Sequence, residues 1–340
     1  MNIKIAVIGC GNVGTAFIEL LAEKKQILQD RYGFTYSLVM VSDKMKGTIC
    51  NSDGFDLDEV VEALHEDRNL SRFHQATGEF SDVLLASGAD FMAECTPTDF
   101  ETGEPGMSHI KFALSHGISV STTNKGPIAL AIDELKKLAL ENGAKIFCEG
   151  VVLSGTPVFD VLTNGIAGCE VQEVQGIFNG TTNYILTEME HGQTYEAALK
   201  KAQLLGFAEA NPKQDVEAYD SAGKVLVLAK LIFGVTVDFD SIKRIGITGV
   251  TREMVETATK NNLKIKLIAG IRRDLNGLHL YVMPRELEAS HPLASVSGAT
   301  NAIMITTDNL GDITLIGPGA GRRETGQALL HDLIAFGRKG

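Results

Sequence analysis

The sequence has 340 residues, 44% of them apolar, and its 43 acidic against 31 basic side chains give a formal net charge of -12. That length suits about two ordinary globular domains, and glycine and proline are too few for a disordered chain. The negative balance argues against non-specific nucleic-acid and anionic-membrane partners, which need positive potential; a phosphate held by backbone N–H groups remains open.

In chain order, residues 2–8 read as a buried central strand, nearly continuous in apolar and β-branched side chains at its end. Gly9-Cys10-Gly11-Asn12-Val13-Gly14 follows at once, and residues 13–30 read as a helix that can bury Val13, Phe17, Leu20, Leu21 and Leu28. This is the strand, Gly-rich turn and helix of a dinucleotide site. Gly9 permits the tight turn, Gly11 leaves room for a pyrophosphate, and Gly14 lets the helix lie close to the strand. The helix N-terminus then faces the anion. The second strand, about 36–41, runs into Ser42-Asp43-Lys44. An acid there suits a ribose diol, whereas Lys44 and Lys46 suit a 2′-phosphate, so the choice between NAD and NADP stays open.

Residues 89–95 form the next expected strand, with Thr96-Pro97-Thr98 at its C-terminal end, where ligands sit in an open parallel sheet. A helix over 107–116 and a strand over 118–123 lead to Thr123-Asn124-Lys125-Gly126-Pro127. Lys125 is expected at the sheet edge facing the cofactor crevice, ahead of a helix over 128–142 that buries Ile128, Ile132, Leu135 and Leu138.

Residues 145–149 read as a short strand ending at Glu149, before a turn framed by Gly150, Gly155 and Pro157. A strand over 171–178 leads to Asn179-Gly180-Thr181-Thr182-Asn183, whose amides and hydroxyls suit a helix cap or a polar ligand, with the helix expected from about Tyr184. A turn over 206–212 carries Glu209, and Asp215 follows. A helix from about Asp220 then puts Asp220 and Lys224 on one face. By itself such a pair is an ordinary surface ion pair of little energetic weight. Beside Glu209, Asp215 and Lys125 it looks like a polar site in which a lysine, held by a carboxylate, donates a proton to an alkoxide. Strands over 265–271 and 278–284 flank the hairpin signal Asn276-Gly277. The Gly-rich turn Gly317-Pro318-Gly319-Ala320-Gly321 precedes a terminal helix over 324–336, which is expected to return the chain to the first domain.

The five cysteines, Cys10, Cys50, Cys95, Cys148 and Cys169, are scattered and form no CxxC pair, so a disulfide framework or cysteine zinc site is not expected. No signal-like N-terminus or membrane-length apolar run is present, and a cytoplasmic setting is expected.

The segments Gly9–Gly14, Thr122–Pro127, Glu149–Pro157, Asn179–Tyr184, Gly206–Lys224 and Gly317–Gly321, in that order along essentially the whole chain, resemble the homoserine dehydrogenase family. The resemblance implies an α/β fold: a Rossmann-like dinucleotide-binding domain plus an α+β substrate and dimerisation domain. The first would comprise residues 1–133 with 301–340, the second 134–300. It implies reversible NAD- or NADP-linked interconversion of L-aspartate 4-semialdehyde and L-homoserine in a homodimer. By motif, Lys125 and Lys224 resemble the family's two active-site lysines and Asp220 the carboxylate supporting the second. Glu209 resembles the group that holds the substrate ammonium, Asp215 a further pocket carboxylate, and Gly180 and Thr181 the turn beside substrate and nicotinamide. Gly9, Gly11, Asn12, Val13, Gly14, Ser42, Asp43, Lys44, Thr96, Pro97, Lys125 and Gly321 fall on the cofactor side. Some members bind sodium through a backbone loop matching Glu149, Val152, Ser154 and Thr156. Here Glu149-Gly150-Val151 replaces the commoner Glu-Ala-Thr or Glu-Ala-Ser, and Asn211-Pro212 replaces an Asp-Pro turn. From this length no fused kinase or appended regulatory domain is expected. Two other classes fit the same motifs: a dehydrogenase of a neighbouring semialdehyde or hydroxy acid, and a cofactor-binding regulator without turnover. Retention of Lys125, Asp220 and Lys224 argues against the regulator.

Overall fold

The structure is a computed structural model that describes residues 2–338. The chain divides into two compact units, Met1–Gly155 with Gly321–Gly340, and Thr156–Ala320. Both cuts fall later than the expected 133 and 301, for reasons visible in the strand pairing below. Met1, Lys339 and Gly340, which the expected bounds include, lie outside the described residues.

The first unit is built on β1 (Asn2–Ile8), β2 (Thr35–Asp43), β3 (Gly47–Phe55), β4 (Phe91–Glu94), β5 (Ser119–Thr122) and β6 (Ile146–Phe147), in the order β3-β2-β1-β4-β5-β6. All neighbours are parallel except β2 and β3, which form a hairpin through Lys44-Met45-Lys46. Strand β1 is buried on both faces, which is why its apolar run does not alternate. The strand order reverses beside β1, and this switch point opens a crevice above the C-terminal ends of β1 and β4. Helix α1 (Asn12–Tyr32) buries Phe17, Ile18, Leu20, Leu21 and Leu28, and Val13 is half-buried. Helices α2 (Gly106–Ser115) and α3 (Lys125–Glu141) belong to the other half of the sheet. Because β6 pairs with β5, residues after 133 stay in this unit.

The second unit carries β7 (Val171–Ile177), β8 (Lys243–Arg244), β9 (Leu263–Asp274), β10 (Gly277–Glu288), β11 (Thr300–Thr307) and β12 (Gly311–Pro318), in the order β12-β11-β7-β9-β10-β8. Residues 301–318 fall here and not in the first unit, because β11 pairs with β7 and β12. Gly317 and Pro318 accordingly end a strand, and the turn starts after them. An antiparallel hairpin joins β9 to β10 as expected, but its two-residue turn is Leu275-Asn276, one residue before the expected Asn276-Gly277, because Gly277 already pairs with Asp274. Helices α4 (Gly180–Glu190), α5 (Tyr219–Phe233) and α6 (Arg252–Lys260) belong to this unit, and α4 and α5 carry the polar cluster. The core beside the sheet gathers Ile177, Ile268, Leu293, Val296, Ala302 and Met304. Helix α7 (Arg322–Gly337) returns to the first unit, where Gly326 allows close approach to Ala16 and Phe17 of α1.

Candidate active site

In the first unit the three glycines of the turn do different things. Gly9 has φ +85°, and a Cβ there would stand 2.7 Å from the main chain of Cys95. A Cβ on Gly14 would lie 2.2 Å from the Gly9 carbonyl oxygen, so α1 can start so near the strand only with glycine. A Cβ on Gly11 would meet no atom within 4 Å, so that space is open to a ligand. Gly11 caps α1 without a side-chain acceptor, which leaves the first N–H groups, from Asn12 and Val13 on, for an anion. These observations fit a dinucleotide pyrophosphate.

The end of β2 is tied to this turn. Gly9 N donates to Ser42 O at 2.8 Å, and Ser42 Oγ bonds Thr48 Oγ1 at 2.9 Å. Asp43 Oδ2 accepts from Cys10 N at 2.8 Å; Oδ1 accepts from Met45 N at 2.8 Å and Lys46 N at 3.1 Å. Lys46 Nζ donates to Cys10 O at 2.6 Å, and Lys44 is exposed. The carboxylate is thus fixed beside the turn, and Lys46 is already engaged by it.

Past β4 and β5 come Thr96-Pro97 and Asn124-Lys125. Asn124 caps α3 by accepting from Gly126 N at 3.2 Å, and its Nδ2 donates to Pro97 O at 3.2 Å. The cap starts the helix at Lys125, three residues before the expected start. Lys125 is its first residue, half-buried, with its N–H on Thr98 Oγ1 at 3.3 Å. Glu149 opens a 3-10 turn, Glu149–Val151, and does not end a strand. Its N–H reaches the buried Asp332 of α7 at 3.3 Å. Glu149, Val152, Ser154 and Thr156 are all buried, and Ser154 adopts φ +52°. The Thr156 carbonyl accepts from Val158 N at 2.8 Å. Gly321, φ +132°, is the residue before α7.

In the second unit α4 starts at Gly180, not near Tyr184, because Asn179 Oδ1 accepts from Thr182 N at 2.9 Å. The same amide donates through Nδ2 to Asp215 Oδ1 at 2.6 Å and to Asp220 Oδ2 at 3.2 Å. Lys224 Nζ lies 2.9 Å from Asp220 Oδ2 and donates to Phe178 O at 2.5 Å. Burial raises the Asp215 carboxyl above the ordinary range, against the hydrogen bond from Asn179; Asp220 and Glu209 add to the rise, and Lys224 opposes it. Glu209 is exposed on the rim. Thr181 is buried and its hydroxyl donates to Phe207 O at 2.5 Å, so toward a ligand it offers its lone pairs. The bland expectation of a surface ion pair fails: the Lys224 side chain is 7% exposed. Asn179 was missed as a linker of two carboxylates. Its place just before a helix suggested a cap or a contact to a polar ligand, and the link between the two carboxylates depends on α5 packing beside it. Among the described residues no group of three or more His, Cys, Asp or Glu is placed to hold a metal ion.

A dinucleotide turn at a sheet switch point, with a buried lysine held by a carboxylate, defines a nicotinamide-dependent oxidoreductase of the Rossmann-like class. The homoserine dehydrogenase family model matches residues 157–334. The chain is 39% identical to an NAD(+)-dependent homoserine dehydrogenase of Pseudomonas canavaninivorans, over 97% of this chain and 95% of that one. It is 35% identical to a homoserine dehydrogenase of Methanocaldococcus jannaschii, over 97% of each. A solved hyperthermophilic archaeal homoserine dehydrogenase in complex with NADPH superposes with a TM-score of 0.83 at 31% identity, covering 98% of this chain and 97% of that one. The chain belongs to the homoserine dehydrogenase family. It is an NAD(P)-dependent enzyme of the reaction that interconverts L-aspartate 4-semialdehyde and L-homoserine.

Proposed function

We propose that Lys224 is the proton-transfer residue of this reaction. The observation that carries it is the burial of the Lys224 ammonium between Asp220 Oδ2 and Phe178 O. An ammonium has three N–H donors. Two have partners here, which leaves one for the oxygen of the substrate. When the aldehyde is reduced, negative charge develops on that oxygen; Lys224 Nζ stabilises it and gives up a proton, and in the reverse direction takes one. Asp220 holds the lysine in place. A bound nicotinamide supplies or accepts the hydride. Lys125, at the start of α3, orients substrate and adds positive potential. Glu209 pairs with the substrate ammonium, Asp215 adds a second negative wall, and Gly180 and Thr181 line the turn beside them.

On the cofactor side the same reading gives Gly9, Gly11, Asn12, Val13 and Gly14 to the pyrophosphate, and Ser42, Asp43 and Lys44 to the adenosine ribose. Thr96, Pro97, Lys125 and Gly321 fall to the nicotinamide half. The pinned Asp43 carboxylate favours a free ribose diol, hence NAD. Sodium on the carbonyls of Glu149, Val152, Ser154 and Thr156 belongs to this reading as well. Main-chain oxygen is the donor type such a hard cation takes. Comparing rates in sodium and in a bulky organic cation tests it.

A homodimer through the second unit completes the reading. It is supported by an open groove of about 870 Å³ in that unit, lined by Val235, Val237, Leu278, Leu280 and Met283 among others. Leu280→Asp should yield a monomer in sedimentation. No described helix is long and apolar enough to cross a membrane. A cytoplasmic setting fits the free cysteines. The decisive assay is turnover of homoserine and of aspartate semialdehyde, followed by cofactor absorbance, in the wild type and in Lys224→Met.

A further inference from the structure

Glu94 is the last residue of β4, at the centre of the first sheet's C-terminal edge, and is fully buried. A carboxylate in such a place costs stability unless its oxygens are satisfied. They are. Oε1 accepts from Thr96 N at 2.9 Å and from the Thr96 hydroxyl. Oε2 accepts from Thr122 Oγ1 at 2.8 Å, and that hydroxyl in turn accepts from Asn124 N at 3.0 Å. Asn124 closes the ring by donating through Nδ2 to Thr96 O at 3.3 Å. A Cβ on Gly106 would stand 2.6 Å from Asn124 Nδ2 and 3.1 Å from Glu94 Oε2, so α2 seals the ring from below only with glycine there. Burial raises the Glu94 carboxyl, while the bonds from Thr96, Thr122 and Asn124 pull the other way.

We propose that Glu94 is a positioning residue that joins the loop after β4 to the start of α3 and so fixes the nicotinamide half of the site. One side chain reaches both segments: Thr96 directly, and the start of α3 through Thr122 and Asn124. Asn124 completes the tie: its N–H donates to Thr122 Oγ1, its Nδ2 to Thr96 O and Pro97 O, and its Oδ1 caps α3. Across a switch point one half of a dinucleotide lies over β2 and the other over β4 and β5, with the pyrophosphate at the Gly-rich turn between them. Glu94 therefore bears most directly on the reacting half, while the Gly-rich turn meets the same loop through the main chain of Cys95 and Thr96. The inference rests on the proposed placement of the cofactor.

The test uses the whole protein and two probes, NADH and ADP-ribose, titrated by calorimetry, with melting curves and steady-state kinetics alongside. Glu94→Ala should leave ADP-ribose affinity within about twofold, since that half is held at the turn and β2. It should weaken NADH and lower kcat by roughly 10- to 100-fold, the scale of a misplaced reacting group. Glu94→Gln, whose amide oxygen can still accept from Thr96 and whose NH2 can reach Thr122 Oγ1, should rescue most of that loss. Thr122→Val cuts one link without opening a cavity and should reproduce the split between NADH and ADP-ribose if Glu94→Ala does not fold. Wild-type kcat in the Ala or Val variant, or equal weakening of both probes with no rescue by Gln, would overturn the proposal. The lysine assignment is tested apart: full turnover in Lys224→Met with the Glu94 effects intact would remove that reading and leave this one standing.

Discussion

Lys224 Nζ and Asp220 Oδ2 lie 2.9 Å apart on successive turns of α5, with the lysine side chain only 7% exposed. Burial separates this pair from the ordinary i,i+4 ion pair, which contributes a few tenths of a kcal/mol and can be removed without consequence. Lys224→Met keeps the apolar stem and removes the proton donor. Turnover should fall about 100-fold or more in both directions. Cofactor titration should be unchanged, because the Gly-rich turn belongs to the other unit. A folded Lys224→Met protein with wild-type kcat would remove α5 from the chemistry.

Asn179 lowers the Asp215 carboxyl through a 2.6 Å hydrogen bond, and burial is the larger opposing influence. Asn179→Ala removes the lowering contribution, so Asp215 should hold its proton to higher pH. The acid limb of kcat/KM should then move upward by about half a pH unit or more. A limb that stays in place would mean that Asp215 is protonated, or idle, throughout the profile.

Gly11 and Gly14 separate binding from folding. A side chain at Gly11 enters open space, so Gly11→Val should melt as the wild type does while losing cofactor affinity by about tenfold or more. A side chain at Gly14 collides with the Gly9 carbonyl at 2.2 Å, and Gly14→Val should lower the melting temperature as well. Equal behaviour of the two variants would contradict these separate roles.

Asp43 is fixed by main-chain bonds from Cys10, Met45 and Lys46. Asp43→Ser should shift the ratio of kcat/KM for NAD over NADP toward NADP by about tenfold, the scale of one lost charged hydrogen bond. A ratio unmoved by this change would place the discrimination elsewhere, with Lys44 the next residue to replace.

Asp332 is buried in α7 and accepts from Ser121 Oγ at 2.6 Å and Glu149 N at 3.3 Å. Burial raises its carboxyl; the contacts with His331, Ser121 and Glu149 N oppose that rise. A raised carboxyl means that the folded state binds the proton more tightly than the unfolded chain. Stability from this group is therefore greatest below its ordinary range and declines as pH rises to the displaced value. A displacement of one pH unit amounts to about 1.4 kcal/mol. Asp332→Asn should flatten that part of the decline in melting temperature above the ordinary carboxylate range. Melting curves of unchanged slope would show that Asp332 ionises normally.

The sequence by itself determined the Gly-rich turn, the order of strand and helix around it, and, to within one residue, the hairpin between β9 and β10. Each is local: a turn needs particular residues at fixed offsets, and a central strand needs an unbroken apolar run. It also determined which residues face each other within one helix, since Asp220 and Lys224 are one turn apart in any α-helix. Element starts at Lys125 and Gly180 were misplaced by three or four residues, because caps by Asn124 and Asn179 set them. The unit boundaries were missed because β6 joins β5 and β11 joins β7 across long intervening segments, and β12 follows β11 through their hairpin. The depth of Lys224 was decided by tertiary packing, and with it whether the pair is solvated surface or a site. The same holds for Glu94. As a letter it ends an apolar strand, and only the convergence of Thr96 from one segment with Thr122 and Asn124 from another gives a buried carboxylate its partners. Long-range pairing sets which polar groups share a desolvated volume, and desolvation is what turns a charge into a functional group.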